Sequence, residues 1–166
     1  MGENKTNSIQ SVIELDSDVA ELERLRVFID TFCGAAFLSE ETCYQLQIAL
    51  EELVINVMNY GQCNPQKGAI RLSMRRQADE IVGVLSDRGI SFNPLDAPAP
   101  DLTADVRDRQ IGGLGIHLVR NLLQSLRYER SEGWNYLYFT KQVNPTPGVS
   151  EPEGERHANR NGNNQS

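Results

Sequence analysis

The spacing of apolar residues along the chain predicts five strands and three helices. Alternating or continuous apolar runs typical of strands lie at 9–15, 69–76 and 80–86, and as two further strands within 126–143. Apolar residues at helical spacing fill 19–36, 40–60 and 114–126. Because the helices are not interleaved strand by strand, we expect an α+β two-layer sandwich with the helices on one face of a mostly antiparallel mixed sheet.

Local signals set the ends of these elements. One of residues 16–18 is expected to cap the first helix and Ser39 the second, because their side-chain oxygens can accept hydrogen bonds from the first free amides. Gly61 fits the C-terminus of the second helix. The short connection at 77–79 predicts one antiparallel hairpin, and Glu132-Gly133 predicts another.

Polar segments surround and interrupt this single domain. Residues 1–8 are polar and are expected to be flexible. Residues 93–112 are rich in Pro, Asp and Ala without periodicity, which is typical of a long surface loop that is either a functional lid or disordered. Residues 144–166 are too polar and too rich in Pro, Gly and Asn to fold alone. We therefore expect one folded domain over 9–143.

Composition and charge exclude several classes of protein. The chain has 166 residues, 39% of them apolar, which suits one domain. Its net charge of −7 argues against general nucleic-acid binding. It contains no signal peptide and no apolar run long enough for a membrane span, so we expect no membrane contact and a cytoplasmic location. Three widely spaced cysteines, Cys33, Cys43 and Cys63, predict reduced thiols rather than disulfides or a zinc site.

The second predicted helix carries a narrow polar stripe among apolar residues. At 100° per residue, Glu52, Asn56 and Asn59 fall within a sector about 60° wide. Burying a carboxylate beside a carboxamide is costly unless a polar or cationic group lies between them, and a hydrated divalent cation is one such group. Buried asparagines that cap a neighbouring loop would explain the same stripe without any ligand.

Two glycine-containing motifs follow the stripe. Asp87 ends a predicted buried strand, and Gly89 permits close backbone approach, so the carboxylate can accept a hydrogen bond from a ligand amine. The same Asp-x-Gly is also ordinary turn chemistry. In Ile111-Gly112-Gly113-Leu114-Gly115-Ile116, glycines lead from the long loop into a helix whose first amides can bind an anion. A flexible junction is the alternative interpretation.

Taken together, the three motifs stand in the order of the nucleotide site of the GHKL ATPase superfamily, which includes gyrase and histidine kinases. Over about residues 9–143 the chain resembles this superfamily, and within it most closely the anti-sigma-factor serine/threonine kinases. The stretches that carry the resemblance are IALEELVINVMNYG, LSDRGISFNPLDAP and GGLGIHLVRNLLQSLRYER. The resemblance implies the Bergerat ATP-binding fold, with ATP and Mg²⁺ as cofactors.

The resemblance also implies a role for each motif residue. Asn56 would contact ATP and bind Mg²⁺ through its side-chain oxygen, and Glu52 would polarise the attacking hydroxyl or hold a metal-bound water. Asp87 would accept from the adenine amino group, with Gly89 making room for the base. The lid end and the first turn of the third helix would contact the phosphates, through Gly112, Gly113, Leu114, Gly115 and Ile116.

Two positions depart from the common family pattern, and three others carry side chains that could contact a ligand. Tyr60 stands where a His often follows the Asn by four residues, and Ser91 stands where another Gly is frequent. Arg107 and Arg109 are interpreted as solvated loop residues, with phosphate pairing on lid closure as the alternative. His117 is interpreted as a partly exposed neighbour of the ligand site rather than a catalytic base.

The function implied by the resemblance is an ATP-dependent serine/threonine kinase in a partner-switching system. It would phosphorylate a small STAS-like antagonist protein and bind a sigma factor as its other partner. Retention of Glu52 favours activity; the alternative is a non-catalytic module that sequesters a regulator when ATP is bound. The resemblance further implies a homodimer through the first strand and helix, although the apolar residues there are equally explained by the core.

Overall fold

The computed structural model describes residues 9–62, 68–96 and 113–143. Several sequence-based expectations lie outside these residues. They concern the N-terminal and C-terminal segments, most of the predicted lid, and the residues Cys63, Arg107, Arg109 and Gly112.

Five strands form one sheet in the described part of the chain. They are β1 Gln10–Leu15, β2 Ile70–Gln77, β3 Glu80–Asp87, β4 Ser125–Ser131 and β5 Trp134–Gln142. Their spatial order is β1-β2-β3-β5-β4, and all four pairings are antiparallel, so the sheet is not mixed. Both predicted hairpins are confirmed. Their connections require left-handed backbone, with φ of 49° at Ala78 and 82° at Gly133.

Among the described residues, three helices pack against the sheet: α1 Leu22–Ala35, α2 Glu40–Tyr60 and α3 Gly113–Leu122. The expected cap of α2 is confirmed, because Ser39 accepts from the amide of Thr42. Asp18 accepts from the amide of Ala20 but caps a short 3-10 turn that precedes α1, and α1 itself begins without a side-chain cap. A second 3-10 turn, Pro94–Asp96, precedes the residues that the structure does not describe. The order and type of all eight elements therefore match the pattern.

The predicted end of the third helix is wrong. The helix ends at Leu122, four residues before the expected boundary, although apolar residues continue at helical spacing to Leu126. The amide of Gln124 donates to the carbonyl of Thr140 at 2.8 Å, and Ser125 already pairs with Thr140 in the sheet. Cross-strand hydrogen bonds thus replace the last helical turn.

One apolar core lies between the sheet and the helices. Its fully buried side chains include Leu25, Ile29, Phe32, Leu46, Leu50, Leu53, Leu72, Met74, Ile81 and Phe139. On β5 the period of two sends Phe139 to the core, whereas Trp134, Tyr136 and Tyr138 share the opposite face. There the rings of Tyr136 and Tyr138 stack, and the ring of Trp134 is tilted against that of Tyr136. No helix among the described residues is long and apolar enough to cross a lipid bilayer.

Candidate functional site

The C-terminal half of α2, the end of β3 and the start of β5 surround a pocket. About 380 Å³ of space outside atoms lies between these elements, part of it open to solvent, and the enclosed cavity within it measures about 20 Å³. Most of the wall is apolar, with side chains contributed by Leu53, Val57, Leu85, Phe92 and Leu137. Buried polar groups enter this wall at Asn56, Asp87 and Asn135. An apolar pocket with a few fixed polar groups suits a small organic ligand.

Asp87 is held at the end of β3 by hydrogen bonds. The carboxylate is only 6% exposed, and its Oδ1 accepts from the amide of Gly89 and from Nδ2 of Asn135, both at 2.8 Å. The bond from the Gly89 amide closes the turn that the Asp-x-Gly motif predicts. Because the same carboxylate lines the pocket, the turn and the ligand site are two uses of one motif.

Gly89 is required by close packing against α2. A Cβ at this position would lie 2.1 Å from the backbone oxygen of Gly61 and 2.8 Å from Oδ1 of Asp87. That Gly61 oxygen also accepts a hydrogen bond from the amide of Ile90 at 2.7 Å. The C-terminus of α2 and the turn after β3 are therefore joined directly, which fixes two walls of the pocket relative to each other.

The polar stripe on α2 is only partly buried in the structure. Asn56 is 8% exposed, and its Nδ2 donates to the backbone oxygen of Glu52 at 2.8 Å. This bond orients the carboxamide and leaves its oxygen as the atom for a cation or ligand. Glu52 is half-buried. Asn59 lies next to the end of the helix and is exposed, so the third member of the predicted stripe does not line the pocket.

Glu52 lies against the first turn of α3. A Cβ on Gly115 would stand 2.2 Å from a carboxylate oxygen of Glu52, so only a glycine leaves that oxygen where it is. Helix N-termini carry a partial positive charge and free amides, which attract anionic groups. Two motifs that are distant in sequence thus meet at one point, as the pattern predicts.

The other candidate residues of the glycine-rich stretch lie at the start of α3. Gly113 begins α3, and Leu114 follows it in the first turn. The side chain of Ile116 is 3% exposed and belongs to the apolar core, so only its backbone is available to a ligand. His117 is half-buried, in agreement with the interpretation of a partly exposed neighbour.

Tyr60 contributes to the aromatic side of the pocket. Its ring stacks on Phe92 at a centroid distance of 5.5 Å, and Phe92 lines the cavity. Tyr60 itself remains 39% exposed. The residue that departs from the family pattern therefore supports an apolar wall in this chain.

Asn135 was not identified from the sequence. It is 4% exposed, lies directly opposite Asp87 in the β3–β5 register and hydrogen-bonds to it. Its oxygen accepts from the hydroxyl of Tyr128 and from Nη1 of Arg130. A signal was present, because residues alternate along β5 and Asn135 is a polar residue on the side that carries Leu137 and Phe139.

Comparisons with known proteins agree with this arrangement. A family model for histidine kinase-like ATPase domains matches residues 15–141. The chain is 29% identical over 102 residues to the serine/threonine-protein kinase BtrW of Bordetella bronchiseptica, covering 61% of this chain and 72% of that protein. It is 25% identical over 123 residues to the serine-protein kinase RsbW of Listeria monocytogenes serovar 1/2a, covering 72% of this chain and 78% of that protein.

A solved structure shows the same fold. The RsbU and RsbW domains of Rv1364c from Mycobacterium tuberculosis match with a TM-score of 0.62 at 14% identity. The match covers 86% of this chain and 35% of that chain, so this chain spans about a third of that longer protein. At this identity the likeness concerns the fold alone, whereas the family model spans most of the present sequence. The chain therefore belongs to the histidine kinase-like ATPase domain family, and membership implies that it uses ATP.

Proposed function

We propose that this protein is a Mg²⁺-ATP-dependent serine/threonine protein kinase that phosphorylates a small STAS-like antagonist protein in a partner-switching system, with a sigma factor as its other partner. The observation that carries the proposal is the contact between the Glu52 carboxylate and the first turn of α3 at Gly115. The relatives described as serine/threonine- and serine-protein kinases support it.

The pocket suits the adenine ring of ATP. The apolar side chains of Leu53, Val57 and Phe92 offer surfaces to a flat base. Asp87 lies in the wall as an acceptor for the 6-amino group, which is a hydrogen-bond donor. Because Gly89 has no side chain, the turn after Asp87 stays close to α2 and the pocket keeps its shape.

The phosphates would then lie at the start of α3. Backbone amides of Gly113, Leu114, Gly115 and Ile116 belong to its first turn, where an anion is favoured by the free N–H groups and the helix dipole. Gly112 would extend this cradle from the lid. In this position the terminal phosphate lies next to Glu52, because Gly115 already contacts that carboxylate.

The donor set fits Mg²⁺ rather than a metal that needs a protein cage. Within the described part of the chain, no three His, Cys, Asp or Glu side chains come together to hold a metal ion. Mg²⁺ needs only one or two protein oxygens together with phosphate oxygens and water. The side-chain oxygen of Asn56 would supply one, and Glu52 would hold a coordinated water. When bound, the ion supplies charge neutralisation across the phosphates.

Glu52 would orient the hydroxyl of the substrate protein. A carboxylate accepts a hydrogen bond from a serine or threonine hydroxyl and aims its oxygen at the phosphorus. Phosphoryl transfer depends mainly on such positioning, so a single well-placed carboxylate has a large effect on rate. Because Glu52 is half-buried and lies against α3, its position depends on packing that Gly115 permits.

The test compares two adjacent glutamates. Glu52→Gln is expected to lower phosphate transfer from Mg²⁺-ATP to the antagonist protein by roughly 10²- to 10⁴-fold while ATP affinity changes little. Glu51→Gln is the matched control, because Glu51 is turned toward α1 and pairs with Arg26 at 2.7 Å. We expect this control to keep its transfer rate. Radiolabel incorporation and ATP titration measure the two quantities separately.

The outcomes separate the kinase from a binding module. Absence of transfer by the wild-type protein with its physiological partner would contradict the proposal, as would an undiminished rate in Glu52→Gln. ATP-dependent capture of the partner that persists in Glu52→Gln, without any phosphorylation, would instead select the non-catalytic module.

A further inference from the structure

We infer that Asn135 is the residue that makes the pocket selective for adenine, because it holds Asp87 as a fixed hydrogen-bond acceptor. Asn135 acts through Asp87 and is therefore a positioning residue. The inference rests on the proposed ATP site and concerns how that site distinguishes an amino purine from an oxo purine.

The carboxamide of Asn135 uses its full hydrogen-bonding capacity. Nδ2 donates to Oδ1 of Asp87 at 2.8 Å and to the carbonyl of Ile90 at 2.9 Å. Oδ1 accepts from the Tyr128 hydroxyl at 2.7 Å and from Nη1 of Arg130 at 2.6 Å. A flipped amide would turn its nitrogen toward the guanidinium of Arg130 and its oxygen toward the carbonyl of Ile90. The orientation is therefore fixed by four partners.

This orientation determines what Asp87 presents to the pocket. Oδ1 of Asp87 receives two N–H donors, from Gly89 and from Asn135. The carboxylate cannot rotate without giving up one of these bonds. Arg130 strengthens the arrangement, since Nη1 also donates to the carbonyl of Gly89 at 3.1 Å. The turn after β3 and the β4–β5 hairpin thus hold the acceptor from both sides.

A fixed acceptor discriminates between purines by the group at position 6. Adenine carries an amino group there and can donate, whereas guanine carries an oxygen that only accepts. Guanine would place this oxygen against the carboxylate of Asp87. Asn135 cannot relieve the repulsion, because both hydrogens on its Nδ2 are already donated. Without Asn135, Oδ1 of Asp87 loses one of the two N–H donors that orient the carboxylate, so the preference for adenine falls.

The experiment measures the dissociation constants of ATP, GTP and purine riboside triphosphate, which lacks the 6-amino group. Wild type is expected to prefer ATP over both analogues by at least about tenfold. Asn135→Ala and Asn135→Asp should bind ATP roughly tenfold more weakly and purine riboside triphosphate almost unchanged, so the ratio falls toward one. Asn135→Asp keeps an oxygen for Tyr128 and Arg130 but replaces the donor to Asp87 by a second carboxylate oxygen, which repels it. Asn121→Ala, at an exposed position of α3, is the matched control and should keep the wild-type ratio.

A variant that melts like wild type and retains the wild-type ratio of ATP to analogue affinity would overturn the inference. So would failure of both Asn135 variants to fold, because the residue would then serve stability rather than base selection. Wild-type protein that binds none of the three nucleotides would contradict the proposed ATP site itself. That result is distinct from nucleotide binding without discrimination, which contradicts the roles of Asp87 and Asn135 in base recognition but not the binding of ATP.

Discussion

Gly89 and Gly115 both lie where a side chain would collide, but the atoms they would meet differ in mobility. A Cβ on Gly89 would meet the backbone oxygen of Gly61, which is held by a hydrogen bond from Ile90. A Cβ on Gly115 would meet the carboxylate of Glu52, which can rotate away at little cost. The same substitution should therefore damage the framework of the pocket at position 89 and displace one side chain at position 115.

Gly89→Ala is expected to destabilise the fold by about 1–3 kcal/mol, because the end of α2 and the turn after β3 must separate. ATP affinity should fall with it, since Asp87 belongs to the same turn. Urea unfolding and ATP titration measure the two effects. Gly34→Ala is the control: nothing lies within 4 Å of a Cβ there, and alanine in a helix should be neutral or stabilising by up to about 1 kcal/mol. Wild-type stability and affinity in Gly89→Ala would contradict the packing argument.

At the scale of elements, local patterns predicted what depends on neighbours in sequence. The hairpin of β2 and β3 follows from alternation and a short turn, and the cap at Ser39 follows from a side chain next to its own helix. The end of α3 could not be predicted in this way, because the amide of Gln124 hydrogen-bonds to the carbonyl of Thr140, which is distant in sequence. The strand order was not predictable for the same reason, as neighbouring strands in the sheet are selected by tertiary packing.

The candidate site likewise combines features set by neighbours in sequence with features set by tertiary packing. Asp87, Gly89 and Gly115 were recognisable because each sits in a short motif with an ordered spacing. Asn135 belongs to no such motif, and its importance arises only from the register that sets it opposite Asp87. Asn59 is the converse case, since helical periodicity grouped it with Asn56 although its side chain is exposed and does not line the pocket.

Cys33 and Cys43 lie where α1 packs against α2, and this environment predicts how fast the two thiols react. Burial, together with a hydrogen bond to Cys43, raises the pKa of Cys33, and burial also raises the pKa of Cys43, whose Sγ lies 3.6 Å from Asp30 Oδ1. Only the thiolate reacts with alkylating reagents, and each unit of pKa lowers its fraction about tenfold near neutral pH. Cys33 should therefore react with iodoacetamide at least about tenfold more slowly in the folded protein, and Cys43 should also react more slowly there.

Peptide mapping by mass spectrometry at pH 7.5, with and without urea, measures the rates at each position. Urea supplies the control, because unfolding removes the burial that raises both pKa values while the reagent and pH stay the same. Alkylation of Cys33 at equal rates in the two conditions would show that the α1–α2 interface opens freely. A pH of 8 lies below the pKa of Cys33 in both the unfolded and the folded protein, so the two thiolate fractions rise together with pH. The difference in alkylation rate for Cys33 should therefore persist at pH 8.

At the scale of the whole molecule, the folded unit extends to the last described residue. Val143 is 2% exposed and packs in the apolar core, and its amide donates to the carbonyl of Asp79 at 2.8 Å. Lys141 donates from Nζ to the carbonyl of Leu122 at 2.9 Å, which joins the end of β5 to the end of α3. The polar composition of 144–166 contrasts sharply with this anchored end.

Removing residues 144–166 is therefore expected to leave the melting temperature and the ATP affinity unchanged. Removing 141–166 should lower the melting temperature by roughly 5 °C or more, because burial of a valine side chain is worth about 1.5–3 kcal/mol and the bond to α3 is lost as well. Thermal unfolding followed by circular dichroism compares the two shortened chains with the full sequence. If the chain ending at Val143 melted well below the full protein, residues beyond 143 would belong to the folded unit, and the boundary argued from Val143 would be wrong.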